Sequence, residues 1–154
     1  MNDRFLYRAI CNDGKFHHGY LARLYKDNGY GKKGDFCISN SSFCPYAYLV
    51  TRPETIEQCT GLKDKDGKLI YEGDIVITYY NGEPTGQMYI YHWEAPAFYV
   101  EPFEKGKPSG RHYYYFAVEN ERCKVIGNIR ENPDLLKNPE NFNVSAENVK
   151  GDNK

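Results

Sequence analysis

Glu54-Thr55-Ile56-Glu57-Gln58-Cys59-Thr60-Gly61-Leu62-Lys63-Asp64-Lys65-Asp66-Gly67-Lys68-Leu69-Ile70-Tyr71-Glu72-Gly73-Asp74-Ile75-Val76 is the stretch that decides the fold. Thr60-Gly61 and Asp64-Lys65-Asp66-Gly67 each supply a Gly where the chain turns with positive φ, a conformation that a Cβ opposes. Leu69-Ile70-Tyr71 is a short strand. Glu72-Gly73-Asp74 then redirects the chain into Ile75-Val76-Ile77-Thr78-Tyr79-Tyr80, whose β-branched and aromatic residues suit a pleated, half-buried surface. A Gly-Asp step into a Val-rich strand also begins small barrels of SH3 type, an analogy of fold only.

Working outward, Phe5 to Cys11 and Lys15 to Tyr25 read as a hairpin about the turn Asn12-Asp13-Gly14. Gly and polar residues from Asp27 to Gly34 predict a loop, Asp35 to Ser39 a short strand, Ser39 to Pro45 an irregular stretch and Tyr46 to Val50 a further strand. Beyond the central block, Asn81-Gly82-Glu83-Pro84-Thr85-Gly86 reads as one turn. Gln87 to Trp93 and Phe98 to Val100 form a strand pair, Glu104 to Arg111 is a long loop, and His112 to Val118 with Lys124 to Ile129 close the sheet. Asn132-Pro133 opens the one helical turn, with Asn132 as N-cap and Pro133 where its missing N–H costs nothing. Residues 137–154 are Asn-rich and poor in apolar side chains, which predicts a loosely packed tail. The expected fold is mainly β: one domain over residues 1–136, a bent antiparallel sheet or barrel-like core with a short C-terminal helix.

Composition agrees. The 154 residues suffice for one core, and aromatics make up 16% of them, with 15 Tyr and 8 Phe. Net charge is −1, so no overall positive field exists to condense on a phosphate backbone, and general nucleic-acid binding loses weight. The five cysteines, Cys11, Cys37, Cys44, Cys59 and Cys123, contain no C-x-x-C pair and are odd in number, which favours free thiols over a disulfide framework. Met1-Asn2-Asp3-Arg4 lacks the apolar core of a signal peptide, and no run of about 20 apolar residues follows. A cytoplasmic protein without membrane contact is expected.

Candidate chemistry is thin. His17 and His18 are neighbours on a strand and point to opposite faces, so they do not converge on one ion, and Cys37-x6-Cys44 lacks zinc spacing. No metal or cofactor is expected. Cys123 follows Glu121-Arg122 without a nearby His, so no nucleophile and base assemble, and no catalytic residue is assigned. Glu72 and Asp74 flank Gly73 as turn residues, and Asp64-Lys65-Asp66-Gly67 lacks the closing Glu of a calcium loop. Gly29-Tyr30-Gly31-Lys32-Lys33-Gly34 lacks the Walker spacing, which leaves Lys32, Lys33 and nearby backbone amides as a general anion contact.

Tyr89-Ile90-Tyr91-His92-Trp93 differs in kind. Alternation puts Tyr89, Tyr91 and Trp93 on one face, which Tyr113 and Tyr115 could share from a neighbouring strand. Core packing is the first use of such a face, a subunit interface the second, and stacking of a nucleobase the third.

The central block resembles the signature of the YopX family of phage and prophage proteins, E-T-(V/I)-x-Q-(aromatic)-T-G-L-x-D-x-x-G-x-x-(I/V)-Y-E-G-D-(I/V)-(V/I). Val125-Ile126-Gly127-Asn128-Ile129-Arg130-Glu131-Asn132-Pro133-Asp134-Leu135-Leu136 resembles the family's closing V-I-G-N-I-x-E-N-P-x-L-L. Arg4-Phe5-Leu6-Tyr7-Arg8-Ala9 resembles its opening strand, so the likeness spans residues 4 to 136. Cys59 stands where the family has an aromatic ring, which makes it a core position. The resemblance implies a phage or prophage accessory protein in the host cytoplasm, with no assigned activity. Together with the missing catalytic set, it leads us to expect a non-enzymatic, homo-oligomeric binding protein, whose partner beyond itself would be a host protein or a nucleotide. Two alternatives stand beside it: a binder of nucleotides or short nucleic acid, used against a host defence, and a hydrolase or nuclease without a recognisable motif. The ligand-binding candidates are Trp93, Tyr91, Tyr113, Tyr115, Lys32 and Lys33.

Overall fold

Apolar and aromatic runs punctuated by glycine turns fold into two antiparallel sheets. The structure, a computed structural model, describes residues 5–27, 29, 31–39, 47–94, 97–104, 107–114 and 122–137. The expectations for Cys44, Tyr115 and the tail from residue 138 lie outside these residues.

The first sheet contains β1 (Leu6–Ile10), β2 (Phe16–Arg23), β3 (Phe36–Ser39), β4 (Ala47–Leu49), β5 (Glu57–Lys63) and β6 (Leu69–Tyr71), in the order β4-β3-β2-β1-β5-β6. Gly14, at φ 77°, closes the expected hairpin between β1 and β2. A single bridge between Cys11 and Val50, with the Asn12 N–H donating to the Leu49 carbonyl at 2.9 Å, brings the end of β4 back to the end of β1. The sheet is thereby bent around a core of Ala9, Cys11, Ile38 and Val50, with Tyr7, Leu21, Phe36 and Ile56 packed against it.

The second sheet contains β7 (Asp74–Tyr80), β8 (Glu83–Glu94), β9 (Ala97–Glu104), β10 (Lys107–Pro108) and β12 (Cys123–Asn128), in the order β10-β9-β8-β7-β12, with β11 (Tyr113–Tyr114) also paired to β9. Ile75, Met88, Ile90 and Phe103 form its core, against which Ile126, Ile129, Leu135 and Leu136 pack. The last two belong to α1 (Asp134–Lys137), the expected C-terminal helix. Asn132 behaves differently from a simple N-cap: its side-chain oxygen accepts the Asn128 N–H at 3.1 Å, and its carbonyl accepts the Leu135 N–H at 3.0 Å.

The described residues cluster into two compact units, Met1–Leu62 with Leu69–Glu72, and Lys63–Lys68 with Gly73–Lys154. The chain passes between them three times, each time inside the signature block. Gly61, Gly67 and Gly73 stand at or one residue from those passages with φ of 81°, 83° and 76°. Gly67 and Gly73 lie in the expected turns, whereas Gly61 lies within strand β5, so the turn expected at Thr60-Gly61 is instead a positive-φ residue inside a strand.

Two further sequence expectations are corrected. The turn placed over Asn81 to Gly86 contracts to Asn81-Gly82, whose φ values of 50° and 85° are those of a type I′ hairpin, so β8 already begins at Glu83. The β8–β9 pair is correspondingly longer than expected, and Lys107–Pro108 folds back on β9 within the segment read as loop.

Candidate functional site

The β8–β9 and β9–β11 registers set Tyr91 opposite Val100 and Val100 opposite Tyr113, so these three share one face. Tyr91 and Val100 are buried, whereas Tyr113 is 39% exposed and leaves one open ring there. Trp93 pairs with Phe98 in the same register. Tyr115 lies outside the described residues.

Lys32 and Lys33 are exposed, and their backbone amides are already occupied. The Lys32 N–H donates to Asp35 Oδ2 at 2.8 Å and the Lys33 N–H to Asp27 Oδ1 at 2.7 Å. An anion reaching these amides would have to displace two carboxylates, so only the lysine side chains are open to one.

The signature carboxylates serve the backbone. Asp64 is buried. Its Oδ1 accepts the Asp66 and Lys68 N–H groups at 2.9 Å, and its Oδ2 accepts the N–H of Val125 at 3.0 Å. The Lys65 N–H donates to the Cys123 carbonyl at 2.9 Å, and Lys124 Nζ lies 3.0 Å from Asp66 Oδ2, which holds the Asp66 carboxyl below its ordinary range. The outer edge of β12 is therefore covered by the 64–66 turn, and the two signature blocks meet there. Residues 7–137 match the family described as YopX protein. The chain belongs to the YopX family.

A solved structure similar to this YopX-family chain is that of protein EF1440 from Enterococcus faecalis, at 22% identity and a TM-score of 0.45, covering 85% of this chain and 96% of that one. No curated protein matches.

Three constellations in this YopX-family chain escape single-residue reading, because each is assembled across strands. Arg8 and Glu57 sit opposite one another on β1 and β5, both buried, with Arg8 Nε donating to Glu57 Oε2 at 2.7 Å. The guanidinium lies over Tyr71 at 4.8 Å and Phe16 at 5.4 Å. At the β1–β2 turn, Asp13 Oδ2 lies 2.8 Å from His17 Nε2, and the imidazole stacks on Tyr48 at 3.5 Å. This contact holds the Asp13 carboxyl below its ordinary range. On β8 and β9, His92 stacks on Tyr99 and Tyr99 on His112. The only sequence trace of the first pair was a charge of each sign within apolar strand runs.

Cys11, Cys37, Cys59 and Cys123 are buried, and Cys59 fills a core position as the signature implied. Burial pushes the Cys11 thiol up to about 11 and the Cys123 thiol up to about 12. Among the described residues no group of three His, Cys, Asp or Glu could hold a metal ion, and no helix is long and apolar enough to cross a membrane.

Proposed function

We propose that this YopX-family protein is a non-enzymatic binding protein that self-associates, used as an accessory by a phage or prophage. The observation that carries the reading is the use made of its buried ionisable groups. Asp64 holds three backbone amides, Glu57 holds Arg8, and the Cys11 and Cys123 thiols are pushed far above the range in which they act as nucleophiles. What the described surface offers instead is aromatic: Tyr25, Tyr80 and Phe5 are 78%, 65% and 64% exposed. Tyrosine gives a large rigid contact with a polar tip, the chemistry enriched where proteins meet.

Tyr25→Ser and Tyr80→Ser remove the two most exposed tyrosine rings among the described residues without touching the core. In the double variant, self-association measured by sedimentation is expected to weaken at least several-fold with unchanged melting. Turnover of a nucleotide or nucleic acid by the purified protein would overturn the non-enzymatic reading.

A further inference from the structure

The outer edge of β9 is covered in two places, by β10 at Phe103 and Glu104 and by β11 at Tyr99 and Val100. The second cover is fastened by polar groups and rings. Buried Glu101 accepts the Gly110 N–H on Oε1 at 2.8 Å, at the head of the segment that leads into β11. His112 of that segment lies on the Tyr99 ring with centroids 4.2 Å apart and planes at 28°. Tyr99 lies in turn on His92, at 5.1 Å and 17°. Two imidazoles thus flank one phenol ring.

His92 Nε2 is sealed from solvent and lies 3.3 Å from Glu101 Oε2, within ion-pair range but not aligned as a hydrogen bond. One carboxylate therefore serves both the inner imidazole and the head of the β11 segment. Among the described side chains, the titratable groups facing His92 are Tyr99 and Glu101 of β9 and His112 of the cover.

We propose that Gly110–Tyr114 is a proton-operated cover of the β9 edge, seated while His92 is neutral and lifted from Tyr99 and Val100 when His92 takes up a proton. A charged His92 with a sealed Nε2 gains hydration only in an opened state. Burial lowers the His92 pKa from the ordinary 6.5, His112 acts in the same direction, and Glu101 opposes them. The seated state therefore binds fewer protons than an opened one as pH falls through and below about 6.5, so acid favours opening.

Hydrogen exchange of the intact chain, read by mass spectrometry at about pH 7.5 and about pH 5.5 and corrected for intrinsic exchange, tests this. Protection of peptides covering 107–114 is expected to fall at least several-fold on acidification, while that of β7 is retained. His92→Phe keeps a ring and removes the proton site, so it should abolish the response, and His112→Phe, which keeps the stack but removes the neighbour that disfavours a charged His92, should shrink it. Should His92→Phe fail to fold, exposed His112→Phe alone carries the test. A pH-independent segment, a response undiminished by His112→Phe, or parallel loss of β7 protection would overturn the proposal.

Discussion

Asp64 Oδ2 accepts the buried N–H of Val125 at 3.0 Å across 61 positions of sequence, joining the two blocks that mark the family. The Asp-x-Asp-Gly turn is therefore more than a local device: one carboxylate closes the turn with one oxygen and covers the β12 edge with the other. Asp64→Ala leaves the Val125 amide buried without its acceptor. A loss of roughly 2–4 kcal/mol is expected, with Asp64→Asn intermediate because it keeps one carbonyl oxygen. Urea denaturation of the two variants checks this, and a loss below about 0.5 kcal/mol for Asp64→Ala would contradict it.

Gly67 and Gly19 separate two reasons for glycine. Gly67 has φ 83° and open space around it, so Gly67→Val is expected to cost more than about 1 kcal/mol through backbone strain alone. A Cβ on Gly19 would land on the Ser39 carbonyl, where β2 and β3 pair. Gly19→Ala should consequently destabilise more than Gly67→Ala, and the reverse ranking in thermal melts would refute the close approach of these strands.

Arg8 and Glu57 form a buried ion pair with side chains 7% and 2% exposed. Glu57→Gln removes this buried counter-charge from beside the guanidinium and is expected to cost roughly 3–5 kcal/mol. Arg8→Met with Glu57→Leu should cost less than the sum of the single changes, because neither then strands a charge. Additive losses in a double-mutant cycle would show that the pair is uncoupled.

The buried thiols set a limit on the alkaline side. Cys11 and Cys123 have folded pKa values raised from 9.0 to about 11 and about 12, so the folded chain holds protons that the unfolded chain releases. Their contribution to stability is complete below about pH 9 and is lost as pH rises from there through those values. Native protein should react slowly with a thiol reagent at about pH 8 and rapidly once unfolded. Fast labelling of either cysteine in the native state would contradict their burial.

What the sequence revealed follows physical locality. Gly61, Gly67 and Gly73 were legible because positive φ is a one-residue property, and β1, β2, β6 and β7 because their runs are bounded by such turns. The Asn81-Gly82 turn looks longer in sequence than it is, since Pro84 and Gly86 resemble turn residues yet stand within β8. The passage of the chain between two units was invisible, being a property of long-range packing. So were the Arg8–Glu57 pair and the His92–Tyr99–His112 stack, which depend on strand register. The face shared by Tyr91 and Tyr113 followed from alternation, but alternation carries no information on depth, and the burial of Tyr91 had to come from the structure.

Self-association is the claim on which the functional account rests, and sedimentation equilibrium of the unaltered chain at micromolar concentration tests it directly. The account expects a mass that is a multiple of 17.9 kDa. A single monomeric species throughout that concentration range would contradict it.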